Sequence, residues 1–218
     1  MATTPGDNAQ HFPGFDVLAQ SGYWDVFTQG VVLSRLRPPD PLIFFTAEQE
    51  PTLRALLDRL LDQNCEPRVP VAESVDSRLA RRRGDGYRHI EMPEDWVAWP
   101  RSIEGLDADA REKTGRPFFD LGPEEQIQLI DHIRQLEGEW HGMPAGRLFE
   151  LWTRYACDAF YSHPWAWNEI GFGGPAYPRG YKNLGLDRRE PWEVAEREPA
   201  DPVAEERSDD RRRLEARS

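Results

Sequence analysis

Thr46-Ala47-Glu48-Gln49-Glu50-Pro51-Thr52-Leu53-Arg54-Ala55-Leu56-Leu57-Asp58-Arg59-Leu60-Leu61-Asp62-Gln63 is the stretch from which the fold class is read. Leu53, Leu56, Leu57, Leu60 and Leu61 stand at i, i+3, i+4, i+7 and i+8, a single apolar stripe along an α-helix. Thr46 and Gln49 have the spacing of a capping box. Pro51 falls in the first turn and favours a start somewhat after Thr46.

Helical spacing recurs downstream. Val71, Val75 and Leu79 predict a shorter helix. Arg81-Arg82-Arg83 suit its C-terminal end, where cations meet the negative pole of the helix dipole, and Gly84 terminates it. Trp96, Trp99, Ile103, Leu106 and Ala110 predict a helix broken or begun at Pro100 and ending near Gly115. Gly122-Pro123-Glu124-Glu125 is a helix entry, continued along Ile127, Ile130, Ile133 and Leu136 to about Glu139. Leu148, Phe149, Trp152, Tyr155, Ala156, Ala159 and Phe160 give residues 145–162 a wide apolar face, predicted to be the most buried helix and stopped by Pro164. The best strand candidate, Pro41–Phe45, is short.

The expected fold class is therefore mainly α: a small irregular helical bundle with long ordered loops, an extended N-terminal arm and a charged C-terminal tail. Residues 1–43 form the arm. Phe15, Val17, Leu18, Tyr23, Trp24, Val26, Phe27, Val31, Val32 and Leu33 are too apolar for a solvated segment, so the arm, with a short helix near Asp16 to Gln29, must cover something. Arg37-Pro38-Pro39-Asp40-Pro41 then enforces an extended path. Residues 44–187 form the helical domain. Residues 188–218 carry ten acids and eight arginines, which predicts disorder.

The chain has 218 residues, enough for one domain with appendages and a true core. A net charge of −12 argues against a phosphate-neutralising nucleic-acid face and against docking on anionic lipid. No apolar run approaches the ~18 residues of a membrane span. Met1 to Gln10 is polar and resembles neither a secretory nor a twin-arginine signal, so a cytoplasmic location is expected, a periplasmic one only through export with a partner. Cys65 and Cys157 are too few for a disulfide framework or a cysteine zinc site, and spacing leaves open whether the two meet.

Motifs for chemistry are sparse. Gly171, Gly173 and Ala176 match the letters of a dinucleotide-binding fingerprint, but no strand precedes them, and Pro175 and Pro178 oppose a following helix. The plain reading is a tight loop that lets backbones approach. No nucleophile elbow is present. Cys157, inside an apolar helix, reads as an inert thiol rather than the partner of His163 in a catalytic pair. Among His11, His89, His132, His141 and His163 no HExxH or ExxH pattern occurs. No catalytic, metal or cofactor-binding residue is assigned. One alternative is a stand-alone metal-dependent enzyme using His132, His141 and His163.

What remains is the run from Ser162-His163-Pro164-Trp165-Ala166-Trp167 to Phe172-Gly173-Gly174-Pro175-Ala176-Tyr177-Pro178-Arg179-Gly180-Tyr181, where Gly, Pro and aromatic residues alternate with few charges. Such a segment is expected to lie as an ordered coil on a surface, its own or a partner's. Trp165, Trp167, Phe172, Tyr177, Tyr181 and, from the arm, Trp24 are candidate partner-binding anchors. His163, Pro164, Gly171, Gly173, Gly174 and Pro175 are candidate shapers of the loop.

Phe44-Phe45-Thr46, Gly105-Leu106-Asp107, Phe118-Phe119-Asp120-Leu121, Glu124-Glu125-Gln126 and Phe160-Tyr161-Ser162-His163-Pro164, leading into Trp167-Asn168-Glu169-Ile170-Gly171-Phe172-Gly173-Gly174-Pro175, follow one another in an order that resembles the gluconate 2-dehydrogenase subunit 3 family over about residues 43–187. The closing aromatic/Gly/Pro run is the most specific part. The resemblance implies a non-catalytic accessory subunit that binds, stabilises or helps mature a larger FAD-dependent oxidoreductase of the glucose-methanol-choline type, acting on sugars, sugar acids or alcohols. FAD is then expected in the partner and no cofactor in this chain. A transient folding chaperone for the flavoprotein is the other reading. The aromatic arm at 12–33 and the tail at 188–218 are departures from the family pattern.

Overall fold

Helix α2 (Glu50–Leu61) starts where its cap puts it. The Thr46 N–H donates to Gln49 Oε1 at 3.2 Å, and the Gln49 N–H donates to Thr46 Oγ1 at 3.3 Å. Pro51 sits in the first turn, where a missing N–H costs nothing. Thr52, Leu53, Leu56 and Leu57 face the core. The computed structural model describes residues 12, 14–64, 66, 68–183 and 188–194, and Cys65 lies outside them.

Helix α3 (Val71–Ala80) buries Val71, Val75 and Leu79 as the spacing requires. It ends earlier than expected, because Arg82 rather than Gly84 takes the left-handed conformation at φ 50°. Arg81, Arg82 and Arg83 therefore lie beyond the helix. The last-turn cation is Arg78, which pairs with Asp85 and Asp158 and stacks over Tyr155.

Helix α4 (Asp95–Thr114) runs straight through Pro100, correcting the expected break. Ala98 and Trp99 are buried before the proline, Ser102 and Ile103 after it. That burial outweighs the roughly 3 kcal/mol penalty of an interior proline. Gly115, at φ 75°, closes the helix where anticipated.

Helix α5 (Pro123–Gln135) opens with the Gly122 N–H donating to Glu125 Oε2 at 2.9 Å. Its inward face is Gln126, Leu129, Ile130 and Ile133, while Ile127 is exposed. The row Ile127, Ile130, Ile133, Leu136 advances by threes and so winds off the face. The helix stops before Glu137, and β1 (Glu139–Trp140) pairs antiparallel with β2 (Met143–Pro144). His141 and Gly142, both at positive φ, make the two-residue turn between them.

Helix α6 (Ala145–Tyr161) buries Leu148, Leu151, Trp152, Tyr155, Ala156 and Phe160 and packs on α2, α3 and α5. It is the central helix, as its apolar face predicts. Pro164 does not end it: the chain leaves the helix at Ser162, and Pro164 begins helix α7 (Pro164–Ile170). The class is thus mainly α. No helix among the described residues is long and apolar enough to cross a membrane.

Two buried carboxylates tie the bundle together. Asp107, on α4, accepts from the Thr52 hydroxyl of α2 at 2.6 Å and from the Phe118 N–H at 3.0 Å. Asp76, on α3, accepts the N–H groups of Ile43 at 2.8 Å and of Phe44 and Phe45 at 2.9 Å. Pro41–Phe45 is therefore not a strand, since one carboxylate takes the bonds a neighbouring strand would have taken. Phe45 is thereby set edge-on to Trp99, with ring centroids 6.3 Å apart.

Asp76→Ala leaves three N–H groups without an acceptor and should destabilise the chain by roughly 3 kcal/mol in urea unfolding. Asp76→Asn keeps one acceptor oxygen for Phe44 and Phe45 and should cost roughly half as much.

Candidate functional site

The arm enters as a 3-10 turn (Val17–Tyr23) and helix α1 (Val26–Ser34). The break between them falls at Asp25, whose Oδ1 accepts the Thr28 N–H at 2.7 Å and caps α1. Val17, Trp24 and Val32 form a second apolar cluster with Trp167 of α7. The Val17 N–H donates to Asn168 Oδ1 at 2.8 Å, tying the arm to α7 across 151 positions of sequence.

Helix α7 exists because three residues cooperate. His163 Nδ1 accepts the Trp165 N–H at 3.3 Å as N-cap, Pro164 fills N1, and Gly171 terminates the helix at φ 67°. The expected coil is thus helical over Pro164–Ile170. The Trp167 indole Nε1–H donates to the Tyr161 carbonyl at 2.6 Å, and the Arg35 guanidinium lies over the Trp167 ring at 5.6 Å. Burial pushes the His163 imidazole down to about 4, outweighing a hydrogen bond to the Arg35 backbone that acts the other way.

Gly171, Gly173 and Gly174 are contact points. A Cβ on Gly171 would lie 2.6 Å from Val194, and one on Gly174 would lie 2.5 Å from the Trp24 ring. A Cβ on Gly173 would stand 3.0 Å from the Trp192 carbonyl. Gly171 also ends a helix rather than opening one. The glycines therefore seat the arm and the C-terminal segment.

Arg179, Glu190 and Trp192 complete this layer. The Arg179 guanidinium donates to the Gly173 carbonyl at 2.5 Å and the Gly174 carbonyl at 3.1 Å, and stacks on Trp192 at 4.3 Å. Burial lowers its pKa. Glu190 accepts the N–H groups of Lys182 and Asn183. Within residues 188–194, expected to be disordered, Glu190 and Trp192 are buried; 195–218 lie outside the described residues. These side chains, with Asn168, were not singled out from sequence. Arg179 was legible as the lone cation among aromatic, Gly and Pro residues, and Trp192 as the lone large ring of a charged run.

The candidate anchors divide into two groups. Trp24 and Trp167 are buried within the chain, so their assignment as partner anchors is corrected. Trp165 is partly buried against the main core and sits edge-on to His163. Phe172, Tyr177 and Tyr181 are exposed, Tyr177 to 70%. Pro164 is buried, and Pro175 is half-buried. Phe172, Tyr177 and Tyr181 are thus exposed rings on the segment that the glycine contacts hold.

The histidines of the alternative reading do not converge. His132 is exposed on α5, His141 Nε2 meets Asp109 Oδ1 at 2.8 Å, and His163 is used as a cap. Among the described residues no group of three or more His, Cys, Asp or Glu side chains is placed to hold a metal. Cys157 is a free thiol, its pKa raised by burial and by Asp158. A cleft of about 410 Å³ between the Pro38-Pro39 stretch, α2 and Trp165 is lined by Arg54, Glu73, Arg68 and Asp58, which pair with one another.

Gly174→Ala should release the arm: trypsin cleavage after Arg35 accelerates while the far-UV helical signal of the body persists. His163 supplies a pH test. Above its unfolded value of 6.5 the ring is neutral in both states and contributes nothing. Between 6.5 and about 4 only the unfolded chain takes up the proton, so stability falls as pH falls, by about 3 kcal/mol at most. His163→Asn keeps the cap and should flatten that part of the urea-midpoint profile.

Comparison with known proteins completes the description of the site. No curated protein and no solved structure matches the chain. The family model for gluconate 2-dehydrogenase subunit 3 matches residues 47–174, from the start of the α2 cap to the glycine beneath Trp24. That stretch is more than half of the chain, and the chain belongs to the gluconate 2-dehydrogenase subunit 3 family.

Proposed function

We propose that this chain is a non-catalytic small subunit that binds and stabilises, or helps mature, a larger FAD-dependent oxidoreductase of the glucose-methanol-choline type acting on sugars, sugar acids or alcohols. The family supports an accessory subunit of a dehydrogenase complex. The observation that carries the reading is the ring face: Phe172, Tyr177 and Tyr181 stand exposed on a segment fixed by Arg179 and by the glycine contacts. Large rings on a preorganised backbone lose little entropy on docking, which suits an interface. Flavin belongs to the partner in this reading, because the glycine turns of this chain are filled by its own Trp24 and Val194.

Affinity purification of the tagged chain from its native host tests the proposal. The expected eluate is yellow, with flavin and a larger polypeptide in fixed ratio. The double variant Phe172→Ala/Tyr177→Ala should lower that ratio roughly tenfold while leaving the chain folded. A colourless eluate overturns the reading. A complex that dissociates once its flavin is loaded replaces the stable subunit by the transient chaperone.

A further inference from the structure

Helix α1 buries only Val32 of its nine residues. Val26 is 80% exposed, Phe27 86% and Val31 55%. From Val17 to Ser34 the sole charged residue is Asp25, and its carboxylate is engaged as the helix cap. In a chain that is 30% charged, α1 presents an uncharged apolar face to water.

A helix this short is marginal alone in water. It is held by the Asp25 cap, by the Gln29 amide donating to the Ser21 carbonyl at 2.8 Å and the Trp24 carbonyl at 3.2 Å, and by Val32 against Trp24 and Trp167. Its direction and register are therefore set before anything covers it. The outward face reads Phe27, Gly30, Val31 and Ser34 at i, i+3, i+4 and i+7, the anchor spacing of a helix laid in a groove. Gly30 faces open space: a Cβ there would meet nothing within 4 Å.

We infer that α1 is a docking helix, seated in an uncharged apolar groove of the larger subunit beside the ring face. This rests on the reading under Proposed function. Three observations choose that occupant over a second copy of the chain. The helix footprint, roughly 13 Å by 10 Å, falls well short of the about 800 Å² per partner that a stable dimer needs. It is also joined to the loop: Tyr23, just before α1, packs on Trp192 at 5.4 Å, and Trp192 carries the Arg179 guanidinium at 4.3 Å. Finally, two copies each carrying −12 repel, whereas α1 itself brings no charge to a neutral groove. The helix lies before residue 47, where the family match begins.

Hydrogen exchange on the free chain and on the purified flavoprotein complex, with the variant Phe27→Glu/Val31→Glu, tests this. Exchange at 26–34 should slow in the complex by roughly tenfold or more, and the variant should lose flavoprotein by a similar factor, the cost of burying unpaired charge. Its thermal transition should match the parent, since both side chains face water. Unprotected 26–34 in a flavin-bearing complex, or full retention of flavoprotein by the variant, overturns the docking helix and leaves the subunit reading standing. Protection of 26–34 in the free chain that grows with concentration assigns the face to a second copy and overturns it too. A colourless eluate from the parent chain overturns both.

Discussion

The ring of Trp24 occupies the space that a side chain on residue 174 would need. That contact holds the arm to the bundle, and the rest of the candidate site depends on it. With Trp24 seated, Val17 reaches Asn168, Val32 covers Trp167, and the direction of α1 is settled. On the other side of the same glycines, Trp192 and Val194 press on Gly173 and Gly171. Arg179 binds the Gly173 and Gly174 carbonyls and carries the indole of Trp192 on its flat face. The loop is a laminate of backbone between two aromatic layers, and glycine is the residue that lets the layers close.

This arrangement separates two kinds of aromatic residue. Trp24, Trp167 and Trp192 are consumed within the chain, where they fix the loop. Phe172, Tyr177, Tyr181, Phe27 and Val31 are left facing outward. The outward set is the surface on which the proposed docking rests, and the inward set holds the segment that carries it.

The family match covers the bundle and the glycine turns but not α1. The helical core, stitched by Asp76 and Asp107, is the shared body. The arm lies on it through contacts that the glycines permit.

Spacing alone fixed the helical class, the Thr46–Gln49 cap, the stop at Gly115 and the central place of residues 145–161, because each follows from local periodicity and backbone chemistry. The order of the Phe-, Gly- and Pro-containing motifs pointed to the family and to the importance of residues 163–181. Long-range contacts decided the rest. Helix α4 passes Pro100 because Trp99 and Ile103 are buried on either side of it. Pro41–Phe45 stays out of a sheet because Asp76, far along the chain, takes its hydrogen bonds. Which tryptophans face inward could not be read from composition, since an indole suits a core and an interface equally well. Only the tertiary structure, by placing Trp24 on Gly174 and Trp192 under Arg179, determined which rings were covered and which were left exposed.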